Sequence, residues 1–231
     1  MILSHKHRFL FLKTRKTAGT SVECVLSAIC GPDDVVTPLN KEGEALRLGG
    51  GPRNYLLRPA PLHIRALRVL GVMKRRYPGE IFLKDHEPYD GIVAKLGSGA
   101  FAGYRKVTIE RNPWDRQVSF YHWRKRVRGC EAMTFEDFLR DEALARIDNF
   151  EIYSSNGTIV ADTIMRYESL EDDLRAFLRS FGIERDFVLP KAKQKYRGSN
   201  RTPYRDYYTA RTKALVGEWY RREIEALGYT F

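Results

Sequence analysis

Cysteine is scarce in this chain of 231 residues, which holds only three, Cys24, Cys30 and Cys130. An odd number without paired spacing excludes a disulfide framework and a cysteine-built zinc site, and fits a reducing compartment. Long apolar runs are lacking as well. No stretch approaches the roughly 18 apolar residues of a membrane span, and Phe9 to Leu12 is too short for a signal-peptide core. Together these absences predict a soluble, unsecreted, cytoplasmic protein with no transmembrane segment. Internal repeats and low-complexity tracts are missing too, which removes solenoid and linker architectures. Acidic residues are outnumbered: 29 Asp and Glu stand against 40 Lys and Arg, a formal charge of +11. Such a field attracts polyanions, phosphorylated ligands and acidic glycans, without selecting among them. Arginine exceeds lysine by 27 to 13. That ratio suits forked contacts to phosphate oxygens, but a GC-rich genome produces it with no function attached.

With 43% hydrophobic and 12% aromatic residues, the chain can bury a core without staples, and its length fits one continuous domain over 1–231. Arg8 to Leu12 reads as a short buried strand. Val22, Val25, Leu26 and Ile29 recur at helical spacing after it, and Gly31-Pro32 stops that helix. Residues 31–61, rich in Gly and Pro, read as a long surface excursion. A helix is expected from Leu62 to Arg76, then a strand from Ile81 to Lys84. A further strand, Arg105 to Glu110, leads into a helix capped by Asn112, opened by Pro113 and reaching Val127. Thr134 to Glu142 reads as a short helix and Thr163 to Tyr167 as a fourth strand. Ser169 is expected to cap a helix striped by Leu170, Leu174, Phe177, Leu178 and Phe181 and ended by Gly182. A basic stretch, 191–205, precedes a final helix from Thr209 to Leu227. Strands alternating with helices predict an α/β fold, a central mostly parallel sheet covered on both faces in three layers.

Two strand-to-helix junctions carry the chemistry. Lys13-Thr14-Arg15-Lys16-Thr17-Ala18-Gly19-Thr20-Ser21 is a basic, hydroxyl-rich turn running straight into a helix. Unpaired amides and the positive end of the helix dipole converge there, Gly19 permits close approach, and Lys16 adds a full charge, so the turn is a candidate anion site. The pattern G-x-x-x-x-G-K-[ST] of nucleotide triphosphatases is absent, since the lysine precedes the glycine. Arg111-Asn112-Pro113-Trp114-Asp115-Arg116-Gln117-Val118-Ser119 repeats the arrangement after the Arg105 strand. Open α/β sheets bind ligands at such carboxyl edges, so two phosphates of one nucleotide could be gripped together, with a fork from Arg111 and a hydroxyl from Ser119.

Lys16 to Ser21 after a short apolar strand resembles the 5′-phosphosulfate loop of sulfotransferases, and Arg111 to Ser119 resembles their 3′-phosphate motif, R-x-P-x-x-R-x-x-S. The motifs stand in the family's order. Tyr167-Glu168-Ser169-Leu170 and the closing Gly228-Tyr229-Thr230-Phe231 are similar to the carbohydrate sulfotransferase branch. The resemblance implies a P-loop-like fold and transfer of the sulfuryl group of 3′-phosphoadenosine 5′-phosphosulfate (PAPS) to a hydroxyl, on a carbohydrate. It further implies that Lys16, Thr17, Gly19, Thr20 and Ser21 bind the 5′ end, and Arg111 and Ser119 the 3′-phosphate. The 31–61 excursion, and no expected N-terminal membrane anchor, depart from Golgi members of the family.

Sulfuryl transfer between oxygens needs an in-line hydroxyl, a base, and positive charge at the departing phosphate. Lys16 fits the last role. His86, just after the Ile81 strand, is the candidate base, because an ordinary imidazole pKa of about 6.5 suits proton uptake near neutrality. Its position matches the histidine of the resembling enzymes, and Glu87 stands in reserve. The 191–205 stretch could fold over the nucleotide, with Arg197 the foremost contact to the 3′-phosphate and Lys195 and Arg201 behind it; a solvated charge run or an acceptor-glycan surface reads equally well. Arg124 to Arg128 is an exposed helix end or a rail for an anionic acceptor. Tyr167 could line the adenine or simply pack, and His122, one turn beyond Ser119, is read as packing or facing solvent. No metal is required and no nucleic acid is expected. Two other readings stay open: a small-molecule kinase using ATP, and a basic nucleic-acid-binding module supported mainly by the net charge.

Overall fold

The computed structural model describes residues 1–72, 77–184, 186–190 and 202–231. The chain opens with an antiparallel hairpin, β1 (Ile2–Ser4) and β2 (Phe9–Leu12), with Leu3 opposite Leu10. Arg8 belongs to the turn, at φ 53°, so the second strand begins one residue later than the apolar pattern predicted. The first strand escaped the sequence reading because three residues are too few to show a period.

After β2 come α1 (Gly19–Ser27), β3 (Val35–Val36), α2 (Lys41–Ala45), β4 (Leu56–Arg58), α3 (Leu62–Val69), β5 (Ile81–Phe82) and α4 (Tyr89–Leu96). Next are β6 (Arg105–Glu110), α5 (Pro113–Arg128), α6 (Phe135–Arg140), α7 (Glu142–Ala145), α8 (Phe150–Tyr153) and the ribbon β7 (Ser154–Ser155) and β8 (Thr158–Ile159). The chain closes with β9 (Thr163–Arg166), α9 (Leu170–Arg179), α10 (Ala210–Trp219) and α11 (Arg221–Leu227). Local chemistry starts several of these helices. Asn112 accepts from the Trp114 and Asp115 amides with Pro113 in the first turn of α5, and capping boxes at Thr134 and Thr209 open α6 and α10.

The central sheet has the order β3-β1-β2-β6-β9. β2, β6 and β9 pair in parallel, with Leu12 opposite Thr108 and Glu110 opposite Arg166, whereas β1 is antiparallel to β2 and β3. All of the strands but β1 therefore run one way. Side chains alternate across the sheet. Phe9, Phe11, Val107, Ile109 and Met165 pack with Val22 and Leu26 of α1 and Leu174 and Phe177 of α9. Leu10 and Leu12 lie on the other face with Ile92 of α4 and Ile152 and Tyr153 of the α8 turn. A third cluster joins Trp114, Val118 and Tyr121 of α5 to Phe135, Phe138, Val216 and Tyr220.

Several expected spans differ. The 31–61 excursion supplies β3, whose Val35 and Val36 are buried at the edge of the central sheet, and β4. The strand expected over Ile81 to Lys84 is only Ile81–Phe82 and pairs antiparallel with β4, outside the central sheet. The helix from Leu62 ends at Val69, and its expected end at Arg76 lies outside the described residues. The fourth strand stops at Arg166, the helix from Thr134 divides at Asp141, and the last helix divides at Tyr220. Tyr220 turns its ring inward: its hydroxyl donates to Gln117 Oε1 at 2.9 Å and accepts the Ile147 amide at 2.9 Å. Ser169 precedes α9 without capping it, because its hydroxyl donates to Asp173 at 3.1 Å.

One ion cluster locks the carboxyl end of β6. Arg116 is fully buried, 2.5 Å from Glu110 and 3.2 Å from Glu223, with its guanidinium 4.4 Å from the Tyr220 ring centroid. The second arginine of the R-x-P-x-x-R-x-x-S pattern is thus a brace between β6, α5 and α11. Removing one partner from such a cluster strands the others without solvent. Arg116→Ala is expected to lower unfolding stability by about 3–5 kcal/mol in urea denaturation, and a loss below about 1 kcal/mol, the level of an exposed pair, would contradict this role.

Candidate active site

The three parallel strands β2, β6 and β9 end at one sheet edge, and each hands the chain to a helix there. Residues drawn from the segments after them, within 13–21, 111–123 and 167–172, line one cleft of about 940 Å³, joined by His86 and by Leu189 and Pro190. Of the third junction, Tyr167 to Asp172, the sequence reading considered only Tyr167 as a lining residue.

The first turn is wound by left-handed backbone at Lys16 (φ 65°) and Ala18 (φ 63°). Thr14 pins it to β6 by donating to the Ile109 carbonyl, and the Thr17 hydroxyl lies 2.8 Å from Thr14 Oγ1. The Thr17 side chain is therefore fully buried and does not line the cleft. Gly19 and Thr20 start α1, where amides lack intrahelical partners and the helix dipole is positive. The Ser21 hydroxyl lines the cleft but donates to the Pro190 carbonyl at 2.5 Å. Lys16 also lines it, its ammonium 5.6 Å from the Trp123 ring centroid.

Beneath the turn runs Lys13, which the sequence reading counted in the basic turn without giving it a role of its own. Its side chain is 2% exposed, with Nζ 2.9 Å from Glu23 and 2.7 Å from Asp85. Glu23, itself buried in α1, also accepts the Thr37 hydroxyl at 3.3 Å and faces Arg47 at 3.9 Å. Gly19 makes room for this lysine, because a Cβ there would stand 2.7 Å from Lys13 Cγ. A signal existed in the sequence: Lys13 continues the inward face of Phe9 and Phe11, and Glu23 is a lone acid on an apolar helix.

The second junction meets the first directly. Arg111 donates from Nη1 to the Lys16 carbonyl at 3.2 Å, holds Asp115 through Nε (2.8 Å) and Nη2 (2.6 Å), and stacks 3.9 Å from the Tyr167 ring centroid. Ser119 faces the same space from α5, beside Phe120 and Trp123, whose rings stack 5.6 Å apart at 14°. Tyr167 thus both lines the cleft and supports Arg111. Among the remaining candidates, His122 lines the cleft with Nε2 3.0 Å from the Tyr207 hydroxyl. Arg197, Lys195 and Arg201 lie outside the described residues.

His86 reaches the cleft although its preceding strand is not part of the central sheet. Its Nδ1 is 2.8 Å from the Lys13 carbonyl. A carbonyl only accepts, so neutral His86 carries its proton on Nδ1 and keeps a lone pair on Nε2. Burial pulls its pKa from 6.5 to about 4, against the opposing pull of Asp85, whose Oδ2 lies 3.5 Å from Nε2. Asp85 itself is held well below the usual carboxylate range: burial opposes its charge, but the Met1 amine, Lys13 and His86 outweigh that cost. Glu87, the reserve base, is turned away. It accepts the Lys84 amide at 3.0 Å, pairs with Lys95 at 2.7 Å, and does not line the cleft.

A mixed α/β fold whose parallel strands deliver two cationic corners to one cleft, where a histidine from outside the central sheet meets them, defines the class of protein. Residues 1–230 match the family model described as the sulfotransferase family, and the chain belongs to that family. A curated protein of Archaeoglobus fulgidus, described as an uncharacterized protein, is 30% identical over 92 residues, covering 38% of this chain and 77% of that relative. No solved structure matches the chain.

Gly19→Ala is expected to push Lys13 off Glu23 and Asp85 and to destabilise the protein by about 1–3 kcal/mol, the usual cost of overpacking, in urea denaturation. Unchanged stability would show that the turn does not need this close approach.

Proposed function

We propose that this chain transfers the sulfuryl group of PAPS to an acceptor hydroxyl on a carbohydrate, by in-line displacement within one P-loop-like three-layer domain. The supporting observation is the contact between the two corners: Arg111 and the Lys16 carbonyl are 3.2 Å apart, so both border one cleft. Lys16, the amides at Gly19 and Thr20, and Ser21 fit the 5′ end of the donor, and Arg111 and Ser119 fit its 3′-phosphate. A contribution from Thr17 would come through its backbone. When bound, the donor supplies an activated sulfur and a phosphate leaving group.

His86 Nε2 accepts the proton of the acceptor hydroxyl as its oxygen bonds to sulfur and the sulfur–oxygen bond to phosphate breaks. The imidazolium so formed lies beside the Asp85 carboxylate, and Lys16 offsets the charge gathering on the departing phosphate. The paired Phe120 and Trp123 rings offer a flat apolar face to a sugar ring, which favours a carbohydrate acceptor.

Label from ³⁵S-PAPS should pass to one of a panel of glycans, and none from the γ-phosphate of ATP; transfer from ATP alone would favour the kinase. Lys16→Ala and Arg111→Ala should each lower kcat/KM by about 10²-fold or more. His86→Ala should lower kcat by about 10²–10⁴-fold while the product nucleotide, 3′-phosphoadenosine 5′-phosphate, still raises the melting temperature. Tight nucleotide binding by all three variants would contradict the assignment. Steep salt-dependent binding of DNA or RNA, with none of the nucleotide, would favour the nucleic-acid module.

The pH dependence carries a sign. Because the folded pKa of His86 is lowered to about 4, the base stays neutral through the mildly acidic range, and kcat/KM should hold until pH approaches that value. The same shift stabilises the fold above 6.5 and is lost as pH falls through about 4. An activity limb at the ordinary imidazole value, retained in His86→Ala, would place the base elsewhere.

A further inference from the structure

Helix α3 is turned the wrong way for a soluble surface. At about 100° per residue, Leu62, Ala66 and Val69 fall on one stripe, and Ile64 lies on the opposite side. Ile64 is buried, yet Leu62 is 79% and Val69 88% exposed. Leu70 and Val72, just beyond the helix, are 73% and 71% exposed, and Leu56 on the neighbouring β4 is 43% exposed. So many large apolar side chains in water within one short stretch mark a contact surface.

Charge identifies what the surface would meet. From Ala45 to Val72 the chain has no Asp or Glu and five arginines. Arg47 and Arg53 turn inward, to Glu44 and to the Gly31 carbonyl. Arg68 pairs with Glu80 at 2.7 Å. Arg58 and Arg65, with His63, are exposed around the apolar stripe. A second copy docked face to face would set these cations against their own duplicates, which disfavours self-association. An apolar stripe bordered by basic residues suits an interface that is greasy below and negative above.

We propose that α3 and the edge of β4 dock on an anionic lipid bilayer, with Leu62, Val69, Leu70 and Val72 entering the headgroup region and Arg58 and Arg65 meeting lipid phosphates. This is surface attachment and not a span; among the described residues no helix is long and apolar enough to cross a membrane. The inference stands apart from the reaction proposed above.

Sedimentation of the full chain with vesicles tests it. The protein should pellet with vesicles of equal parts phosphatidylglycerol and phosphatidylcholine, pellet less at raised salt, and stay in solution with phosphatidylcholine alone. The double variant Leu62→Glu, Val69→Glu should lose binding by about tenfold or more, since it puts charges where apolar area must bury. Arg65→Gln should lose about fivefold, the effect of one unit charge at such a surface. Both changes are at exposed positions, so unchanged urea stability verifies the fold. The proposal is overturned if anionic vesicles fail to bind the protein, or if the double variant binds them as the parent does. It is equally overturned if ultracentrifugation finds a dimer that the double variant dissociates, since a second copy then covers the face.

Discussion

The hydrogen bond from the Arg111 guanidinium to the Lys16 carbonyl joins two loops that lie 95 residues apart in the chain. It exists because β2 and β6 are parallel neighbours in a register that ends them side by side, Leu12 opposite Thr108. Had the strands been antiparallel, the two basic corners would have finished at opposite edges. Thr14 reinforces the arrangement by bonding to the Ile109 carbonyl, and Thr108 by donating to the Leu12 carbonyl at 2.7 Å. The pairing of two strands thus decides whether the two phosphate-type corners can serve one ligand.

Beneath that clasp lies a second, charged layer. Lys13, Glu23 and Asp85 are drawn from β2's end, α1 and the loop before α4; the buried lysine holds both acids, Glu23 in the interior and Asp85 at the half-buried margin of the cleft. Breaking such a cluster is costly even when its net contribution to stability is small. Its effect on the site is positional. Lys13 anchors Asp85 through its ammonium and His86 through its carbonyl, so a single residue sets both the orientation of the imidazole and the carboxylate beside it. The proposed base, His86, is thus linked through Lys13 to an α1 residue, Glu23, that does not line the cleft.

Much of this was legible in the sequence because it is written locally. The apolar run of β2, the stripes of α1 and α9, and the Asn112-Pro113 start of α5 each follow from a few adjacent residues. The two basic turns were found for the same reason, since their charge, hydroxyl and glycine content is contiguous. What was missed depends on distance. Lys13 and Glu23 become partners only after folding, Arg116 had no assigned role within its motif until Glu110 and Glu223 enclosed it, and Glu87 could be set aside only once Lys95 was seen to hold it. The short strands β1 and β3 carry too few residues to announce themselves, although their pairing extends the central sheet. Tyr167 shows the limit from the other side: a packing residue and a cleft residue can be one and the same.

Isothermal titration with 3′-phosphoadenosine 5′-phosphate, adenosine 5′-phosphate and adenosine 3′-phosphate asks whether both corners grip one molecule. The account predicts a single site per chain and an affinity for the bisphosphate well above that for either monophosphate. Equal affinity for the bisphosphate and one monophosphate, or two independent sites, would contradict it.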